Sequence, residues 1–138
     1  MRKIVLSVIA SAALFLAGCT NPPVQSFEGK WLLTSATDAQ GTWADGVVGA
    51  TLVTIEDDHI SGQICNNWGG DIAITGSTVV VGSLYSTKMA CDKPDGIMDL
   101  EMRFLDDLSL VTSIELVDGT LHLSGGPVDL EFVSDPTS

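Results

Sequence analysis

Residues 111–133 read VTSIELVDGTLHLSGGPVDLEFV, and this stretch decides the fold class. Ile114 and Leu116 alternate with Ser113 and Glu115. Leu121 and Leu123 alternate with His122 and Ser124, and Val128, Leu130 and Phe132 with Asp129 and Glu131. A period of two marks strands with one face buried. Asp118-Gly119, between the first two runs, is a strong type I′ hairpin signal. Gly125-Gly126-Pro127 then turns the chain into Val128 to Val133.

Before this stretch the period changes. At about 100° per residue, Ile97, Met98, Leu100, Phe104, Leu105 and Leu108 share one side, and Asp99, Arg103, Asp106 and Asp107 the other. A helix over residues 96–108 is expected, after a loop at 92–96. Further upstream, strands are expected at Lys30 to Ser35, Thr51 to Ile55 and His59 to Cys65. Glu56-Asp57-Asp58 reads as a turn. Residues 36–50 read as a long loop carrying Trp43, and Asn66 to Gly70 as a break. Asp71 to Thr75, Gly76-Ser77 and Thr78 to Val81 read as a hairpin, and Ser83 to Thr87 as a short strand. Seven or eight strands and one helix give an α+β domain, mainly antiparallel.

The N-terminus reads differently. Arg2 and Lys3 precede an apolar run, Ile4 to Leu16, which closes in Leu16-Ala17-Gly18-Cys19. The run is short of the roughly 20 residues a membrane span needs. The order resembles a bacterial lipoprotein signal, cut before Cys19, whose thiol then carries lipid. Residues 1–18 are read as the signal peptide, 19–26 as a lipidated tether stiffened by Pro22-Pro23, and 27–135 as one folded domain. The expected location is the bacterial cell envelope. Thr20 is not the aspartate that often retains lipoproteins on the inner membrane, so the periplasmic face of the outer membrane is expected.

The formal net charge is −12. Loss of Arg2 and Lys3 with the signal leaves four basic against 18 acidic residues, a formal −14. Such a chain repels phosphate backbones and anionic headgroups. Nucleic-acid binding is excluded on this ground, and the membrane is reached through the lipid anchor. With Cys19 acylated, Cys65 and Cys91 remain in an oxidising compartment, and a disulfide is the leading reading. Its loop would add about 3–4 kcal/mol on the chain-entropy model. A reactive thiol or metal pair is the competing reading, but neither His59 nor His122 is close in sequence to supply a further ligand.

Glu101 falls at about 40° from Ile97, near the centre of the apolar helix face. A buried carboxylate must be hydrogen-bonded or protonated. It is read as structural, receiving backbone N–H bonds or pairing with Lys88, in preference to a tuned acid in a pocket. Glu56-Asp57-Asp58-His59 is read as a solvated hairpin tip, because its spacing matches no calcium loop. Asp92, Asp95 and Asp99 are read the same way, and His122 is expected to face outward. No G-x-S-x-G or phosphate-loop motif is present. Trp31 is assigned to the core, while Trp43 and Trp68 sit in expected loops and could form an exposed platform. No catalytic residue, metal or cofactor is assigned.

Two segments together carry a resemblance. Cys65-Asn66-Asn67-Trp68-Gly69-Gly70 resembles the cysteine-asparagine-aromatic-glycine signature of the META domain, the family of HslJ-like bacterial heat-shock lipoproteins. Thr87-Lys88-Met89-Ala90-Cys91 matches that family's second cysteine element without a gap. Glu101 and Phe104 fall where the family carries a glutamate and an aromatic. Gly29, Trp31 and Leu32 resemble its opening strand, and Leu121 and Leu123 its closing strand. Ile64 replaces the usual glycine before the first cysteine, and Asp71 departs from a looser, often aromatic position. The resemblance implies a strongly bent, barrel-like sheet packed with one α-helix, the cysteines in paired elements, and no established catalytic activity. It links such domains to stress, drug tolerance and envelope maintenance.

The expected function is a non-enzymatic, monomeric envelope lipoprotein that binds or scaffolds an unidentified envelope protein. The alternative is a small-molecule or acyl-chain binder using the interior of the bent sheet. An enzyme using Glu101 or the cysteines is a third reading, which a hydrophilic cleft at Glu101 would favour.

Overall fold

The computed structural model describes residues 25–44 and 51–137. The signal peptide, Cys19 and most of the tether lie outside the described residues. Strand β1 spans Gly29–Asp38, β2 Gly41–Thr42, β3 Leu52–Glu56, β4 His59–Gln63, β5 Asn67–Thr75, β6 Thr78–Val81 and β7 Tyr85–Ser86. Helix α1 spans Ile97–Leu110. Strands β8 (Ser113–Val117), β9 (Thr120–Gly125) and β10 (Val128–Ser134) follow. The sheet order is β10-β9-β8-β6-β5-β4-β3-β1, and β1 also pairs with β10. Eight strands therefore close into an antiparallel barrel. The short strands β2 and β7 hang on β1 and β5.

Local sequence explains the turns. Asp118 and Gly119 take positive φ of 50° and 84°, as a type I′ turn requires, and set Val117 opposite Thr120. Asp57 and Asp58 take φ of 49° and 59°. They join β3 to β4 in the same way, with Glu56 opposite His59.

Alternation explains the interior. Leu33, Ile60, Trp68, Ile114, Leu121, Leu123, Leu130 and Phe132 are almost wholly buried. The helix adds Phe104 and Leu108, and the Phe104 ring lies 5.3 Å from that of Trp68. Helix α1 packs against β6, β9 and β10 and closes one end of the barrel.

The barrel itself has eight strands, within the expected seven or eight, and the short β2 and β7 are additional to them. Several expectations are corrected. The helix runs two residues further, to Leu110. The expected break at Asn66 to Gly70 is mostly strand, since β5 begins at Asn67, and Trp68 lies buried on it. Trp43 is also buried, so the two tryptophans form no exposed platform. The expected loop begins later, because β1 continues to Asp38. Residues 45–50 lie outside the described residues. Asp107, expected on the polar side of the helix, is buried. The helix tilts its buried arc from Glu101, Phe104 and Leu108 toward Asp107, leaving Met98 and Met102 exposed.

Candidate functional site

Glu101 projects from the buried side of α1 into the β4–β5 connection. Its Oε2 accepts hydrogen bonds from the backbone N–H of Cys65 at 2.8 Å and of Asn66 at 2.6 Å. Its Oε1 accepts from Asn66 Nδ2 at 2.7 Å. Asn66 is buried and relays the contact: its Oδ1 accepts from Met89 N at 2.6 Å and Thr87 Oγ1 at 3.0 Å. Thr87 Oγ1 in turn accepts from Asn67 N at 3.1 Å, while Thr87 N donates to Asn67 O at 2.9 Å. The disulfide Cys65–Cys91, with Cα atoms 5.9 Å apart, closes the same region.

These bonds form one clasp. A segment without regular structure, 87–91, is held to the start of β5 and to the helix by a carboxylate, an amide, a hydroxyl and a covalent bridge. Three donors converge on Glu101, which meets the hydrogen-bond demand of its burial. The structure thus brings together Cys65, Asn66, Asn67, Thr87, Met89, Cys91 and Glu101. Lys88 stays exposed and does not pair with Glu101. Met89 contributes its backbone, and its side chain is exposed. Glu101 is 4% exposed.

A second polar cluster escaped the sequence reading. Arg103 donates from its guanidinium to both carboxylate oxygens of Asp38, at 2.6 and 2.8 Å, and stacks over the Trp43 ring at 5.1 Å. Trp43 Nε1 donates to Asp107 Oδ2 at 3.0 Å. The Arg103 bonds hold the Asp38 carboxyl below its usual range. Burial pushes Asp107 up, with the Trp43 N–H opposing. The cluster ties the helix flank to the end of β1. Its sequence signal was the placement of Asp107 beside Leu100 on the helix wheel.

The acids of Glu56-Asp57-Asp58-His59 do not converge. His59 instead lies between Asp71, at 3.7 Å, and the Tyr85 hydroxyl, at 3.3 Å. Lys93 pairs with Asp95 at 3.0 Å on the surface.

The end of the barrel away from the helix is open. Ile55, Ile72, Ile74, Ile114 and Leu116 wall a cleft of about 840 Å³, with Gln25, Ser26, Phe27 and Glu28 along its rim. Beside it, β6 meets β8 at the Thr78–Ser113 pair, flanked by hydrogen bonds from Val79 N to Thr112 O and from Ile114 N to Ser77 O. Glu115, Leu116 and Val117 run past the Gly76-Ser77 turn, and among the described residues no strand pairs with that edge. Gln25 Nε2 donates to Leu116 O at 3.1 Å, covering part of it.

A helix-plugged, disulfide-clasped antiparallel barrel with one open apolar end defines the class. The chain belongs to the META domain family, whose model matches residues 24–136. It is similar to a solved protein from Burkholderia xenovorans, at 24% identity over 79% of this chain and 83% of that one, with a TM-score of 0.62. It is also similar to a DUF4847 family protein from Bacteroides vulgatus, at 14% identity over 78% and 93% of the two chains, with a TM-score of 0.58. These likenesses concern the fold. No curated protein matches the chain.

Proposed function

We propose that this protein is a non-enzymatic, lipid-anchored module of the bacterial envelope that binds an extended apolar segment of an envelope protein in the open end of its barrel. One observation carries the reading: an aliphatic cleft lies directly beside a strand edge that no strand covers among the described residues. Main-chain pairing along such an edge supplies affinity and the adjoining pocket supplies selectivity, as in strand addition. The Gln25 amide on Leu116 O occupies one position that a bound strand would take. The clasp at Glu101 supports the non-enzymatic reading, because its carboxylate is enclosed and fully engaged. The acidic surface favours a partner that is not anionic.

The anchor fits this placement. Cys19 precedes Gln25 by six residues, so an acylated Cys19 would lie within about 20 Å of the cleft rim. The cleft would then work close to the membrane surface, on the periplasmic face of the outer membrane, in envelope stress or maintenance.

A photo-activatable residue at position 116, with one at the exposed Val80 as control, tests the proposal in intact cells. A discrete protein adduct is expected from position 116, absent from position 80 and lost on Ile74→Glu. Absence of any such adduct refutes it. A second reading, an acyl chain in the cleft, draws on the aliphatic wall and on a volume in the usual small-ligand range. Lipid recovered by organic extraction of the purified chain, with no protein adduct, would favour it.

A further inference from the structure

The outer face of the barrel carries an unassigned group of ligating side chains. His122 on β9 stands opposite Glu131 on β10, and Asp129 lies two residues along β10 on the same face. One ligand atom from each lies within 4.8 Å of the others. His122 Nδ1 approaches Asp129 Oδ1 at 3.4 Å. All three side chains are half-buried.

We propose that His122, Asp129 and Glu131 form a binding site for a divalent first-row transition ion of the zinc class. The ladder fixes the three Cα positions, so the ligands are presented by two paired strands and not by a loop. A tetrahedral shell with metal–ligand distances of about 2.1 Å has edges of about 3.4 Å. The widest pair therefore closes by at most about 1.4 Å, within reach of small changes in side-chain torsion.

Charge favours a cation there. No lysine or arginine among the described residues pairs with Asp129 or Glu131; Arg103 is committed to Asp38 and Lys93 to Asp95. On the other side of His122, β8 places another acid, Glu115, directly opposite. Three carboxylates and an imidazole thus share a face to which no basic side chain among the described residues is paired. An imidazole nitrogen selects zinc-like ions over calcium or magnesium, which prefer all-oxygen shells. Three protein ligands leave room for water. None of the three ligands lines the cleft, so failure of the site would leave the binding proposal standing.

The chain has two histidines, which makes the test direct. Imidazole nitrogen resonances of the full chain are followed by NMR during titration with zinc chloride, and in parallel with calcium and magnesium. The His122 signals should shift and saturate near one equivalent of zinc, while those of His59 stay in place. Asp129→Asn and Glu131→Gln should each weaken zinc binding at least tenfold with the amide spectrum otherwise unchanged. An unmoved His122 at millimolar zinc overturns the site. So does an equal shift at His59, undiminished affinity in both carboxylate variants, or an equal response to calcium.

Discussion

Removing the Glu101 carboxylate should test the clasp most severely. Glu101→Ala strands three donors: Cys65 N, Asn66 N and Asn66 Nδ2. Cys65, Asn66 and Glu101 are each no more than 4% exposed, so water reaches the vacated donors poorly. Each stranded donor costs about 1–3 kcal/mol. Two belong to one residue, so the costs add less than fully, and a loss of about 3–5 kcal/mol is expected. That is a large share of the roughly 5–15 kcal/mol typical of a domain. Glu101→Gln keeps one acceptor oxygen but turns an N–H₂ toward a donor. It should lose about 1–2 kcal/mol. Urea unfolding with the disulfide intact reads both values. With a slope of about 1.5 kcal/mol per molar, the alanine midpoint should fall by about 2–3 M. An alanine variant within about 0.5 kcal/mol of the parent would refute the reasoning, as would equal losses in the two variants. A glutamine variant that folds like the parent yet gives no adduct from position 116 would make Glu101 a functional carboxylate.

Three further outcomes are expected. Replacing Cys65 and Cys91 together by serine should destabilise the domain by about 2–5 kcal/mol in urea unfolding, and peptides of the unreduced parent should appear joined in mass spectrometry. Asp107 has its pKa raised by burial, so the folded state holds its proton more tightly and loses stability as pH rises from the unfolded value through the folded one. Asp107→Asn, which mimics the protonated acid, should therefore match or exceed the parent at neutral pH, and that advantage should vanish on acidification; a gap that widens in acid would contradict the assignment. Fatty-acid labelling of cells should mark the parent and spare Cys19→Ala, and equal labelling of both would remove the anchor.

The parts of the fold readable in the sequence are those set by near neighbours. Alternation and Asp118-Gly119 specify β8 and β9 because strand period and turn conformation are local. Glu101 stood out for the same reason, since one helix wheel exposes a carboxylate among apolar residues. The start of β5 was hidden by Gly69 and Gly70, which look like chain breakers. Their cause is a close approach. A Cβ on Gly69 would lie 2.7 Å from the Tyr85 hydroxyl, and one on Gly70 would lie 2.9 Å from Leu84 and the Ser83 carbonyl. The burial of Trp43 depends on Asp107, 64 residues away. The open cleft arises from the closure of the barrel by β1 and β10. Neither has a local signal.

The barrel separates two roles along β5. This strand starts beside the clasp, at Asn67, and ends beside the cleft, at Thr75, a span of about 30 Å at strand rise. The signature residues Asn66, Thr87 and Glu101 all lie at the closed end, where they hold the helix and the 87–91 segment in place. The cleft lies at the other end and is walled by ordinary aliphatics, of which Ile74 and Leu116 are half-buried and Ile72 and Ile114 buried. A motif built this way holds the closed end of the barrel and places no constraint of its own on the side chains that wall the cleft. On the proposed cleft-binding reading, variation at the cleft changes the partner without disturbing the clasp. Variants at the clasp should reduce binding only in proportion to the fraction unfolded.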